Sequence, residues 1–158
     1  MASSESPVVV TGATGYVGGR LVPSLLAAGH SVRCVARRPE ELSDRSWKDR
    51  VEIVKADLSH PEEISKALNG AQAAYYLLHS MSSSDDFAEV ESTMAAEFSK
   101  AAEREGLNQI IYLGGLGHDD VKNSAHLSSR HRVGRLLASG STPVTELRAA
   151  VIIGSGSA

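Results

Sequence analysis

Residues 8–18 read Val-Val-Val-Thr-Gly-Ala-Thr-Gly-Tyr-Val-Gly, an apolar β-branched run leading straight into glycines at 12, 15 and 18. Beyond them Val17, Leu21 and Leu25 recur every four residues, with Val22 and Leu26 alongside, the pattern of an amphipathic helix over 16–28 that Gly29 can cap. A buried strand, a glycine turn and a helix in immediate succession permit few folds. Each glycine has a separate physical reason: a tight turn, close backbone approach to a pyrophosphate, and close packing of helix on sheet. The helix start supplies open N–H groups and a positive dipole end, which together receive phosphate. A tight turn with no ligand is the alternative reading, and the flanking strand and helix weigh against it. Pro23 falls past the first turn, where it removes an N–H and crowds the carbonyl of Gly19, so a local kink is expected rather than a helix end.

The rest of the 158 residues repeats the alternation of short apolar runs with helical patterns, which argues for a parallel sheet. Strands are expected at 8–10, 32–35, 51–54, 73–78, 110–113 and 144–147. Ser59 and Glu62 have capping-box spacing around Pro61, which suits a first helical turn. A long helix is expected over 86–105, with Phe87, Val90, Met94, Phe98 and Ala101 as a core stripe, and another over 126–138 with Val133, Leu136 and Leu137 facing inward. Between the last strands, 114–125 reads as a polar loop of a length associated with function or mobility.

The order of these elements implies an α/β fold: a doubly wound parallel sheet of about six strands, order 3-2-1-4-5-6, with helices on both faces. One domain over 7–158 is expected, after a flexible leader at 1–6. A net charge of -3 gives no pull toward nucleic acid or anionic membrane. No apolar run is long enough to cross a bilayer, and the first six residues lack a signal peptide's basic start and apolar stretch, so a cytoplasmic protein is expected. Cys34 is the single cysteine and reads as an inert buried thiol; with six histidines at no close spacing, no metal site is expected. The basic helix with Arg130, His131, Arg132 and Arg135 reads as a solvated face with one residue reaching a ligand.

The end of the second strand bears on which dinucleotide would bind. A fold that prefers NAD places an acidic residue about 20 positions beyond the glycine turn, on the ribose 2′-hydroxyl. Here that position is Ala36, followed by Arg37 and Arg38. A guanidinium grips a 2′-phosphate by charge-assisted hydrogen bonds where a carboxylate would repel it. NADP is therefore expected over NAD, with Arg37 the better ligand of the two arginines, the alternative being that both are solvated near Glu40 and Glu41.

The Thr-Gly-Ala-Thr-Gly-Tyr-Val-Gly string, spaced Gly-x-x-Gly-x-x-Gly, resembles the extended and atypical branches of the short-chain dehydrogenase/reductase superfamily. The likeness runs from Pro7 to Ala158 through Ala56-Asp57-Leu58, Leu77-Leu78-His79-Ser80-Met81, Tyr112-Leu113-Gly114-Gly115-Leu116 and the Gly154-Ser155-Gly156 turn. It includes relatives similar to nucleoside-diphosphate-sugar epimerases and to the nitrogen-metabolite-repression regulator. It implies a Rossmann fold in which Gly12, Thr14, Gly15, Tyr16, Val17 and Gly18 cradle the pyrophosphate and Asp57 and Leu58 meet the adenine. His79 and Arg130 would also contact the cofactor, beside Arg37 and Arg38.

Active members of that superfamily pair a Ser at the end of the fifth strand with Tyr-x-x-x-Lys on the next helix. Here that strand ends in Gly114-Gly115, and the register falls on His126 and Arg130, or, shifted by one, on Leu127 and His131. His126 as proton donor, Arg130, and His79 at the sheet's carboxyl end are the candidate catalytic residues. The resemblance implies an oxidoreductase acting on a small carbonyl or hydroxyl substrate; the alternative is a sensor or assembly protein that binds NADP(H) without turnover. It also implies a substrate-closing region beyond 158, and apolar surface left open for self-association into a homo-oligomer.

Overall fold

A computed structural model describes residues 6–78, 85–117 and 125–156, with the side chains of 85–87 and 125–126 excepted. Six parallel strands form one sheet in the order β3-β2-β1-β4-β5-β6. They are β1 (Val8–Thr11), β2 (Val32–Ala36), β3 (Glu52–Lys55), β4 (Ala73–Tyr76), β5 (Gln109–Gly115) and β6 (Val144–Ala149). Helices α1 (Tyr16–Ala27), α2 (Pro61–Leu68), α3 (Asp85–Arg104) and α4 (Ala125–Leu137) connect them, with 3-10 turns at Pro39–Leu42 and Lys48–Arg50. The expected strand order and class are those observed.

Side-chain alternation along the strands divides the core in two. Val9, Tyr76, Ile110 and Tyr112 point to the face covered by Ile64 of α2, Phe98 of α3 and Leu137 of α4. Val8, Val10 and Cys34 point to the opposite face, under Val22 and Leu25 of α1 and Leu42 and Trp47 of the segment after β2. Desolvation pushes the Cys34 thiol up to about 12, as fits an inert thiol. The edge strands β3 and β6 are only half covered.

Several boundaries differ from the sequence reading for identifiable reasons. β4 stops at Tyr76, short of Leu78, because the Leu77 N–H donates to Thr11 Oγ1 (3.1 Å) instead of extending the ladder. β5 and β6 pair as far as Gly115 and Ala149, since backbone pairing is indifferent to the glycines and charged side chains there. α1 continues through Pro23. Pro61 does open α2, but the expected capping box does not form. His60 is the N-cap without a side-chain bond, and Ser59 Oγ donates to Asp57 Oδ1 (2.8 Å). Ser6 is already fixed at the end of the leader, its carbonyl accepting from Gln72 Nε2 (2.6 Å).

Candidate functional site

The carboxyl ends of β1, β2 and β4 open onto a cleft of about 470 Å³, where ligands sit in doubly wound sheets. One wall is the glycine turn. Gly12 has φ +74°, and a Cβ there would also lie 3.2 Å from the Leu77 carbonyl oxygen. Thr11 fixes that neighbour: its Oγ1 donates to the Tyr75 carbonyl (2.9 Å) and accepts from the Leu77 N–H. Gly15 is the N-cap of α1 and donates its N–H to the Gly12 carbonyl (3.1 Å). Gly18 lies against that same carbonyl, so close that a Cβ would fall 2.2 Å from the oxygen. The third glycine thus packs the helix on the turn itself. With no side-chain cap on α1, the first-turn N–H groups of Tyr16, Val17 and Gly18 are open to a ligand. Gly12 and Thr14 line the cleft.

The second wall is built at the ends of β2 and β3. Ala36, Arg37, Arg38, Asp57, Leu58 and Ser59 line it. The two arginines differ in their partners: Arg38 pairs with Glu41, three residues on. Arg37 is exposed and, among the described residues, forms no ion pair; its charge reaches Asp57. The Asp57 carboxylate accepts from the Ser59 N–H (3.0 Å) and hydroxyl, while its own N–H donates to Glu63 Oε2 (2.6 Å). The Ser59 bonds, backbone first, hold the Asp57 carboxyl below its ordinary range, and Arg37 adds to the effect.

The third wall comes from α3 and α4 over β4 and β5: Tyr76, Leu78, Val90, Met94, Tyr112, Arg130 and Val133. The stripe on α3 therefore serves two purposes, with Phe98 and Ala101 in the core and Val90 (49% exposed) and Met94 at the cleft. Burial raises the Tyr76 and Tyr112 phenols, so both stay protonated, and Tyr112 donates to the Arg130 carbonyl (2.9 Å). Arg130 Nε is buried with no hydrogen-bond partner among the described residues. His131, next in sequence, is 4% exposed with Nε2 3.3 Å from the Gly115 carbonyl oxygen. The His126 side chain and the whole of His79 lie outside the described residues. Among the described residues no His/Cys/Asp/Glu cluster could hold a metal, and no helix is long and apolar enough to cross a membrane.

A family model described as NAD(P)H-binding matches residues 12–150. The chain belongs to the NAD(P)H-binding family. The structure of Citrobacter sp. triphenylmethane reductase complexed with NADP(H) is similar with a TM-score of 0.77 at 24% identity, over 92% of this chain and 50% of that one. A nucleoside-diphosphate-sugar epimerase from Staphylococcus aureus gives a TM-score of 0.77 at 20% identity, over 90% of this chain and 50% of that one. In sequence, the chain is 37% identical over 84 residues to dihydroflavonol 4-reductase of Hordeum vulgare, covering 49% of this chain and 24% of the relative. It thus spans half of these solved structures and a quarter of the barley reductase. The match agrees with the short-chain dehydrogenase/reductase resemblance carried by the glycine motif.

Proposed function

We propose that this chain binds NADP(H) in the cleft and serves a reductase acting on a small carbonyl or hydroxyl substrate. The observation that carries the cofactor choice is the end of β2. Ala36 stands where an acidic residue would favour NAD, Arg38 is engaged by Glu41, and Arg37 is left facing the cleft. The residues present suit a dinucleotide: a turn at Gly12 and Gly18 packed too closely for side chains, so that its backbone and the open N–H groups of α1 face a ligand directly, and in the opposite wall a buried Arg130 Nε with no partner among the described residues.

In this reading Gly12, Thr14, Gly15, Tyr16, Val17 and Gly18 hold the pyrophosphate through the turn and the open helix N–H groups. Arg37, with Arg38 beside it, takes the 2′-phosphate, and Asp57 and Leu58 take the adenine. Arg130, His79 and His126 flank the nicotinamide. The bound dinucleotide supplies a hydride, and the protein supplies orientation and a proton. His126 is the candidate donor of that proton, since an imidazole titrates near neutral pH. Arg130 keeps its charge throughout and can only grip.

A second reading, an NADP(H) sensor or assembly protein without turnover, draws support from β5. A Cβ on Gly114 would fall 2.4 Å from Glu146 Oε1, and one on Gly115 2.7 Å from Leu127 Cδ2. Both contacts are with the ends of flexible side chains; the support lies in the strand's ending in Gly114-Gly115, with no serine of the kind superfamily reductases use. Calorimetric titration with NADPH and NADH tests binding; loss of nicotinamide absorbance with a panel of carbonyl compounds separates the two readings. Turnover that disappears in His126→Ala while NADPH binding persists supports the reductase. Tight binding without turnover supports the sensor.

A further inference from the structure

The three motif glycines leave Gly19 unexplained. Glycine inside a helix costs about 1 kcal/mol relative to alanine, and Gly19 sits in the second turn of α1 with ordinary backbone angles. What occupies the space above it is the guanidinium of Arg45. A Cβ on Gly19 would lie 3.1 Å from Arg45 Nη1, 3.2 Å from Cζ and 3.4 Å from Nη2. That same group donates from Nη2 to the Thr14 carbonyl at 2.9 Å, across 31 residues of sequence. The segment carrying it is fixed on both sides: the Arg45 N–H donates to the Leu42 carbonyl, the Arg45 carbonyl accepts from the Lys48 N–H, and Leu42 and Trp47 are buried under α1.

We propose that Arg45 is a positioning residue that locks the glycine turn in its ligand-receiving shape, and that Gly19 is glycine to admit it. The inference rests on the dinucleotide reading above. The Thr14–Gly15 peptide is held at both ends, its carbonyl by Arg45 and its N–H by the Gly12 carbonyl. This peptide enters α1 and therefore sets the direction of the open Tyr16 and Val17 N–H groups. A turn held this way before the ligand arrives has less ordering to lose on binding. Among the described residues Arg45 forms no ion pair, so it also leaves a fixed positive charge behind a turn that receives phosphate.

The test uses Arg45→Ala, Arg45→Lys, Gly19→Ala and the double variant Gly19→Ala/Arg45→Ala, each read two ways. Calorimetry gives NADPH affinity, and amide hydrogen exchange on the ligand-free chain gives the protection of Gly15 and Gly19. Arg45→Ala is expected to weaken NADPH binding about tenfold and to speed exchange at both amides about tenfold, with α2 and the central strands unchanged. Arg45→Lys recovers part of both effects, since it keeps the charge but loses the planar fork. Gly19→Ala displaces the guanidinium slightly, moves both readouts the same way by a smaller factor, and adds nothing once Arg45 is gone. An Arg45→Ala chain indistinguishable from its parent in affinity and exchange overturns the inference, as do additive effects in the double variant. Failure of the dinucleotide reading looks different: the parent itself takes up neither NADPH nor NADH.

Discussion

Replacing Gly18 by alanine puts a methyl carbon 2.2 Å from the Gly12 carbonyl oxygen, 2.8 Å from its carbon and 2.9 Å from the Ala13 Cα. All three are backbone atoms, so no side chain can swing aside; either α1 lifts or the turn opens. Overpacking of this kind costs about 1–3 kcal/mol, and contact with backbone puts this case at the upper end. The gain of alanine over glycine in a helix returns about 1 kcal/mol. The net loss is about 2 kcal/mol, a fall in Tm of about 4–8 °C for a chain of this size. Because Gly12 also faces the cleft, NADPH affinity falls at least about tenfold as well. Gly15→Ala is the milder comparison in the melts: Gly15 has extended angles (φ -77°, ψ 175°) open to any residue, and its Cβ would lie 3.3 Å from the Gly12 oxygen, a tight contact that a small shift relieves. Thermal melts and calorimetry on both variants decide the matter. A Gly18→Ala chain with an unchanged or raised Tm and parental affinity would refute the packing argument.

Three further outcomes follow from single contacts. Ser99 Oγ donates to the Leu137 carbonyl (2.9 Å) and accepts from the Gly140 N–H (3.1 Å), closing the end of α4 on α3; Ser99→Ala should cost about 1–3 kcal/mol in denaturant melts. Asp57 has a folded pKa below its unfolded value of about 3.9, so its contribution to stability is present above that pH and is lost as pH falls through the folded value. Ser59→Ala removes the hydroxyl bond, so carbon-detected NMR titration should show Asp57 moving back toward the ordinary range. The buried Cys34 thiol should resist alkylation at pH 8 until denaturant unfolds the chain, a mass-spectrometric measurement.

The fold was legible because its signals are local. A β-branched run, a glycine turn and a four-residue apolar period specify a βα unit wherever they occur, and repetition of that unit leaves few topologies. The glycine turn belongs to the same class, since its strand and helix follow one another directly in the chain. Contacts set by how a loop docks left no such mark, whether 31 residues apart or six. Nothing near Arg45 in sequence points to Thr14, and nothing near Glu63 indicates that it accepts the Asp57 N–H, because each pair is fixed by how a loop docks. Ser59 misled for a related reason: α2 begins one residue later, with His60 as N-cap, and the Ser59 hydroxyl turns back to donate to the Asp57 carboxylate. On α3 the period placed Met94, Phe98 and Ala101 against the core, but period alone cannot tell a core-facing position from one facing a cleft, and Val90 lies exposed at the cleft. Gly19 carried the one available hint of Arg45, a glycine in a helix with no turn to justify it.

The most direct test of the account is a paired calorimetric titration of the chain and of Arg37→Ala with NADPH and NADH. If Arg37 reads a 2′-phosphate, the parent binds NADPH at least about tenfold more tightly than NADH, as a charge-assisted contact implies. The variant should lose that difference while its NADH affinity stays the same. Equal affinity of the parent for the two dinucleotides, or a preference that survives Arg37→Ala, would contradict it.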